Sequence, residues 1–135
     1  MSYKRYYMSL KRLEQYSLII FDWDGTLVDS IPNIVDAFRC AGVDQGLQPL
    51  QESDLRWVIG MSLAEAFKYL YPDADTTLIQ QLIGSYHDNY QRLELAPSAA
   101  FPGVTEGLKK IQASGTNMAI VTGKQRMELN RSMQA

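Results

Sequence analysis

Residues 18–30 read Leu18-Ile19-Ile20-Phe21-Asp22-Trp23-Asp24-Gly25-Thr26-Leu27-Val28-Asp29-Ser30, an unbroken apolar run followed by an acidic turn containing glycine. A short apolar, β-branched-rich run suits a strand buried on both faces, as in a parallel sheet covered by helices. The run stops at Asp22, so the acidic residues fall at the carboxyl edge of the sheet, where open α/β sheets bind ligands. On an extended strand two aspartates two residues apart point to opposite sides. On a loop that curls at Gly25, Asp22 and Asp24 can instead converge, because glycine adopts backbone conformations closed to other residues. Two close carboxylates repel, and a divalent cation with a preference for hard oxygen ligands, such as magnesium, relieves the repulsion. By itself Asp-x-Asp-Gly is equally a solvated turn. A calcium-binding EF-hand is excluded by spacing: counting from Asp22, the sixth position is Leu27 rather than glycine and the twelfth is Asn33 rather than glutamate.

Downstream of the loop the period changes to that of helices. Ile31, Ile34, Val35 and Phe38 recur at three to four, with Pro32 in the first turn and Gly42 and Gly46 as breakers. A short helical stretch over Asp54 to Ile59 ends at Gly60. Ser62 and Glu65 form a capping-box pattern ahead of Leu63, Ala66, Phe67 and Leu70. The longest periodic segment places Leu78, Ile79, Leu82, Ile83, Tyr86, Tyr90 and Leu93 on one stripe and closes at Pro97. After Phe101-Pro102-Gly103 a helix carries Val104, Leu108 and Ile111 and stops at Gly115. Met118-Ala119-Ile120-Val121 is a second strand ending in Thr122-Gly123-Lys124, and a last helix begins there. The order is strand, four helices, helix, strand, helix. A strand-end hydroxyl followed by glycine and a helix start is an anion site in its own right. A P-loop is excluded, because Met118 stands where the motif needs its first glycine and Gln125 where it needs Ser or Thr.

The chain has 135 residues, 46% apolar and 21% charged, which fits one ordinary globular domain or a core with an insertion. A net charge of −2 offers no basic field for nucleic acid or anionic lipid. No apolar run approaches the ~18–20 residues a membrane span needs. The single cysteine, Cys40, forms no internal disulfide and suits a reducing cytoplasm. The basic N-terminus (Lys4, Arg5, Lys11, Arg12) lacks the apolar segment of a secretory signal, and Met8 reads as an alternative start behind a loosely ordered Met1 to Tyr7. His87 falls on the polar side of the longest helix and reads as a surface histidine; Arg56 and Lys68 read as solvated charges, and Trp57 and the tyrosines as core or interface.

Phe-Asp-x-Asp-Gly-Thr-Leu-x-Asp-Ser over 21–30 closely resembles the first motif of haloacid dehalogenase-type phosphatases. The Thr122-Gly123 strand end resembles their second motif, about a hundred residues on. Val58-Ile59-Gly60-Met61-Ser62-Leu63 and Phe101-Pro102-Gly103-Val104 resemble stretches of phosphoglycolate phosphatase-like members. The resemblance implies an α/β fold: a partial Rossmann-like core over 1–29 and 100–135, with an inserted all-α helical cap over 30–99. It implies a magnesium-dependent phosphomonoester hydrolase of the cytoplasm acting on a small phosphorylated metabolite. Asp22 would form an aspartyl-phosphate, Asp24 would serve as acid and base, and both would hold the metal. Thr26, Thr122, Gly123 and Lys124 would bind the phosphoryl group. Dehalogenases lack an acid at the position of Asp24, and Thr26 is more like the phosphatases than the sugar phosphomutases of the superfamily.

The resemblance runs from about Ser17 to Ala135 and lacks the family's third-motif lysine and fourth-motif acidic pair. Three expectations follow. The chain is an N-terminal portion with little turnover of its own. The first strand keeps a bare apolar edge open to self-association. A non-catalytic remnant that binds anions or a partner is the competing reading, and a sugar phosphomutase is a third.

Overall fold

A computed structural model describes residues 15–96 and 98–133. The expectations for the N-terminal extension and for Pro97 as a helix stop lie outside the described residues. The element order is β1 (Leu18–Phe21), α1 (Ile31–Asp44), α2 (Glu52–Trp57), α3 (Leu63–Leu70), α4 (Thr76–Leu93), α5 (Val104–Ala113), β2 (Asn117–Ile120) and α6 (Arg126–Met133). This is the order expected from periodicity. The two strands pair in parallel, with Leu18 opposite Asn117 and Phe21 opposite Ile120.

Local chemistry accounts for most element ends. Ser62 accepts from the Glu65 backbone N–H at 3.3 Å while the Glu65 carboxylate accepts from the Ser62 backbone N–H at 3.2 Å, a complete capping box at the start of α3. Asp75 caps α4 by accepting from the Leu78 N–H at 2.8 Å. Gly103 enters α5 and Gly115 leaves it with positive φ. Gly42 departs from expectation: it lies buried inside α1, which runs on to Asp44. A Cβ there would meet the Tyr71 hydroxyl, so this glycine serves close packing rather than helix termination. Gly46, with φ of 70°, follows the helix end.

Two apolar clusters divide the fold. The larger is built wholly from α1 to α4 and the turns between them, including Phe38, Leu55, Phe67, Leu82, Tyr86 and Tyr90. Phe38 meets Phe67 at 5.1 Å and Tyr86 at 4.7 Å between ring centres. Burying side chains of this size stabilises by roughly 1.5–3 kcal/mol each. The smaller cluster gathers Trp23, Leu27 and Val28 with Phe21, Val104, Leu108, Ile120 and Leu129 around the two strands. The chain passes between the clusters twice, and the two crossings lie side by side: Asp29 N–H donates to Ala99 C=O at 2.9 Å and Phe101 N–H to Leu27 C=O at 3.0 Å.

The expectation that β1 is buried on both faces is not met. Ile19 and Phe21 are half-buried, but Leu18 is 46% and Ile20 57% exposed. Among the described residues the sheet has two strands, and the small cluster packs against one side of β1 only. Met118 and Val121 are exposed nearby. Trp57 and Tyr69 are exposed rather than core, whereas Tyr86 and Tyr90 are buried as expected. Among the described residues no helix is long and apolar enough to cross a membrane.

Candidate active site

The loop after β1 is a knot of backbone hydrogen bonds. The Trp23 carbonyl accepts from the N–H groups of Thr26, Leu27 and Val28, and Gly25 N–H donates to Val28 C=O at 2.8 Å. Gly25 has φ of 73°, which is what makes the curl need glycine; a Cβ there would also crowd the tip of the Ile31 side chain at 2.9 Å. Trp23 points into the small core and donates its indole N–H to Ser132 at 2.9 Å, which pins the loop from beneath. Asp22 accepts the Trp23 N–H at 2.7 Å. Both Asp22 and Asp24 then line one cavity, of about 600 Å³, as the convergence argument requires.

Asp24 is held from two sides. Ser30, 1% exposed, donates its hydroxyl to Asp24 Oδ1 at 2.6 Å. The Lys124 ammonium lies 3.3 Å from the same oxygen. Ser30 opens α1 but makes no side-chain cap there. Its position before an apolar helical run reads as an ordinary N-cap, which is why sequence reasoning passed over it.

The segment after β2 brings up the opposite wall. Val121 N–H donates to Phe21 C=O at 2.9 Å, so the two strand ends stay in register beyond the ladder. Thr122, Gly123, Lys124 and Gln125 line the same cavity as the aspartates, and Thr122 Oγ1 accepts the Lys124 N–H at 3.1 Å. Thr26 is exposed and is not part of the cavity wall. The Lys124 side chain is buried, 4% exposed. Its ammonium donates to the Tyr90 hydroxyl at 2.6 Å and faces Glu94 Oε1 at 3.4 Å.

The helices supply the rest of the wall. Ile34, Phe38, Val58, Ile59, Met61 and Leu63 give it an apolar side. His87 also lines the cavity, with Nδ1 3.3 Å from Glu128 Oε1, so it is not the surface histidine expected. Glu128 is buried and its other oxygen accepts the Gln125 N–H at 3.1 Å. Burial, reinforced by the charges of Asp24 and Glu94, drives the Tyr90 hydroxyl far above its ordinary range; burial with Asp24, Glu128 and Glu94 does the same to Tyr86. Both phenols therefore stay protonated. His87, Tyr90 and Glu94 fall at i, i+3 and i+7, so they share a face of α4 and its C-terminal turn. That spacing was the available signal, and it was masked because Tyr90 also fits the apolar stripe. Arg56 pairs with Glu52 at 2.8 Å in solvent, and Lys68 donates to the Pro72 and Ala74 carbonyls of the turn after α3; neither lines the cavity.

Asp22 and Asp24 offer hard carboxylate oxygens to one space, and magnesium is commonly held by one or two carboxylates with waters and a substrate phosphate. The donor set fits that mode. Among the described residues no group of three or more His, Cys, Asp or Glu gathers into an all-protein metal cage.

Residues 19–135 match the family described as haloacid dehalogenase-like hydrolase. A probable phosphatase, IndB, of Dickeya dadantii is 37% identical over 112 residues, covering 79% of this chain and 48% of its own. A phosphoglycolate phosphatase of Psychrobacter arcticus is 31% identical over 115 residues, covering 79% of this chain and 50% of its own. The chain thus spans about half the length of the curated relatives it matches. A solved hydrolase of Pseudomonas syringae superposes with a TM-score of 0.79 at 28% identity, over 90% of this chain and 55% of that one. A haloacid dehalogenase-like hydrolase of Bacteroides fragilis superposes at 0.82 and 24% identity, over 88% and 57%, and shares the fold. A family match through all but the first eighteen residues, on a fold shared with solved members, settles the lineage: this chain belongs to the haloacid dehalogenase-like hydrolases.

Proposed function

We propose that this chain carries the nucleophile half of a magnesium-dependent phosphomonoester hydrolase of the phosphoglycolate phosphatase kind, acting on a small phosphorylated metabolite in the cytoplasm. The observation that carries the reading is the convergence of Asp22, Asp24, Thr122, Gly123 and Lys124 on one cavity at the carboxyl edge of the parallel pair. In this reading residues 1–29 and 100–135 belong to the catalytic core and residues 30–99 form its cap.

The chemistry assigned to each residue is that of the motifs it resembles, and the shared cavity supports it. An Asp22 carboxylate oxygen attacks phosphorus, and the bond from phosphorus to the ester oxygen breaks. Asp24 delivers a proton to the departing oxygen, which leaves as the alcohol. Asp24 then takes a proton from water, the hydroxide attacks the aspartyl-phosphate, and Asp22 is released with inorganic phosphate. The Thr122 hydroxyl and the Gly123 backbone amide would hold the phosphoryl oxygens, with the Lys124 charge close by and Thr26, outside the cavity wall, acting only through the loop. Magnesium bound to the two aspartates would neutralise charge on the phosphoryl group. The apolar side of the cavity and α4 would exclude water while the first step runs.

The test is hydrolysis of a generic phosphate ester by the chain, with and without magnesium, beside Asp22→Asn. Magnesium-dependent release abolished in the variant supports the reading. Equal background from both removes catalysis by this chain and leaves anion or partner binding. Phosphate retained on a sugar product would instead indicate a mutase.

A further inference from the structure

Lys124 occupies an unusual place for a lysine. Its side chain is 4% exposed, and burying an ammonium is costly unless partners surround it. Three partners do so, two from the end of α4 and one from the loop after β1. The Tyr90 hydroxyl at 2.6 Å comes from α4, Glu94 Oε1 at 3.4 Å from the turn that ends α4, and Asp24 Oδ1 at 3.3 Å from the loop after β1. An ammonium has three donors, so this set uses its full capacity. Glu94 is placed to match. Its side chain is 11% exposed, and its Oε2 is buried without a hydrogen-bond partner, with Arg131 of α6 at 3.8 Å. A carboxylate held so dry needs facing cations, and Lys124 is the nearer of its two.

We propose that Lys124, Tyr90 and Glu94 form a latch that seats α4 over the cavity and, through the Lys124 ammonium, positions Asp24. Resting on the phosphatase reading for the role of Asp24, the latch makes Lys124, Tyr90 and Glu94 positioning residues. With α4 seated, two anchors hold the ammonium beside Asp24, and Ser30 holds the same carboxyl oxygen from the other side. With α4 lifted, Lys124 loses both anchors and Asp24 is no longer fixed. Closure of the helical layer and readiness of the acid/base carboxyl are then one event. The seam continues one turn away on α4, where His87 faces Glu128 of α6.

Two measurements test this. The first needs no activity. His87 is the sole histidine of the chain, so its imidazole resonances are unambiguous reporters of the seam. Lys124→Met is expected to shift them clearly, Glu94→Gln and Tyr90→Phe less, and Lys124→Arg to restore them. Should Lys124→Met fail to fold, the two milder variants decide. Unmoved His87 resonances in the folded variants overturn the latch. The second compares an alkyl phosphate, whose leaving oxygen needs a proton, with nitrophenyl phosphate, whose leaving group does not. General acid help is worth about 10²–10⁴-fold, so Lys124→Met should lose about tenfold or more in kcat on the alkyl ester beyond its loss on the aryl ester. Equal loss on both overturns the positioning role. Wild-type chain without Asp22-dependent turnover removes catalysis by this chain instead, and the histidine measurement then decides the latch by itself.

Discussion

Ser30→Ala isolates a contact that looks like a helix cap and is not one. The hydroxyl is buried, donates to Asp24 Oδ1 at 2.6 Å, and makes no cap bond to α1. A hydrogen bond to a charged group contributes about 1.5–3 kcal/mol. The Asp24 side chain is 17% exposed and keeps Lys124 at 3.3 Å, so the lower end applies, about 1.5 kcal/mol. The assay is a double-mutant cycle in urea, with Ser30→Ala and Asp24→Ala singly and together. If the hydroxyl serves Asp24, removing it after Asp24 is gone costs little, and the cycle returns a coupling of about 1 kcal/mol or more. Should Ser30→Ala cost the same in both backgrounds, within about 0.3 kcal/mol, the hydroxyl works through α1 and the reasoning is refuted. An N-cap contributes about 1 kcal/mol whether or not Asp24 is present, which is what makes the two accounts separable.

Gly42→Ala is expected to be close to neutral, because swinging the Tyr71 hydroxyl aside offsets the roughly 1 kcal/mol that alanine gains inside a helix. In a Tyr71→Phe background the same change should become stabilising, as read by denaturant midpoints. Glu65 titrates below 4.5 because its charged form accepts first from the Ser62 hydroxyl and then from the Ser62 backbone. A depressed folded pKa means that its contribution is present above pH 4.5 and is lost as pH falls through the folded value. Wild type should therefore converge in stability with Glu65→Gln on acidification, and a constant difference across the range would contradict this. Ile20→Lys, on the exposed face of β1, should reduce self-association in sedimentation without lowering stability. No change in a chain that does associate would place the contact elsewhere.

The element order, the parallel neighbours and the cavity's first two carboxylates were legible because each depends on local rules. A strand ends where apolar residues give way to Asp22; a helix starts where Ser62 and Glu65 can cap one another; the loop curls where Gly25 admits a positive φ. Thr122 and Gly123 were legible for the same reason, since they follow a strand and precede a helix. The burial of β1 was not. A run such as Leu18 to Phe21 states how apolar it is, but its cover comes from other parts of the fold, and here it meets only one. Gly42 read as a breaker because its neighbour Tyr71 is distant in sequence. His87 changed meaning, and Ser30, Tyr90, Glu94 and Lys124 gained partners that the sequence did not show. Their side chains answer to partners more than thirty residues away in the cases of Lys124 with Tyr90 and of His87 with Glu128. Motif spacing determined which strand ends meet at the cavity and which carboxylates and hydroxyl they carry there. Only the seating of α4 against the strand ends decided which charges surround it, because a buried ion's role is set by whatever tertiary contact leaves beside it.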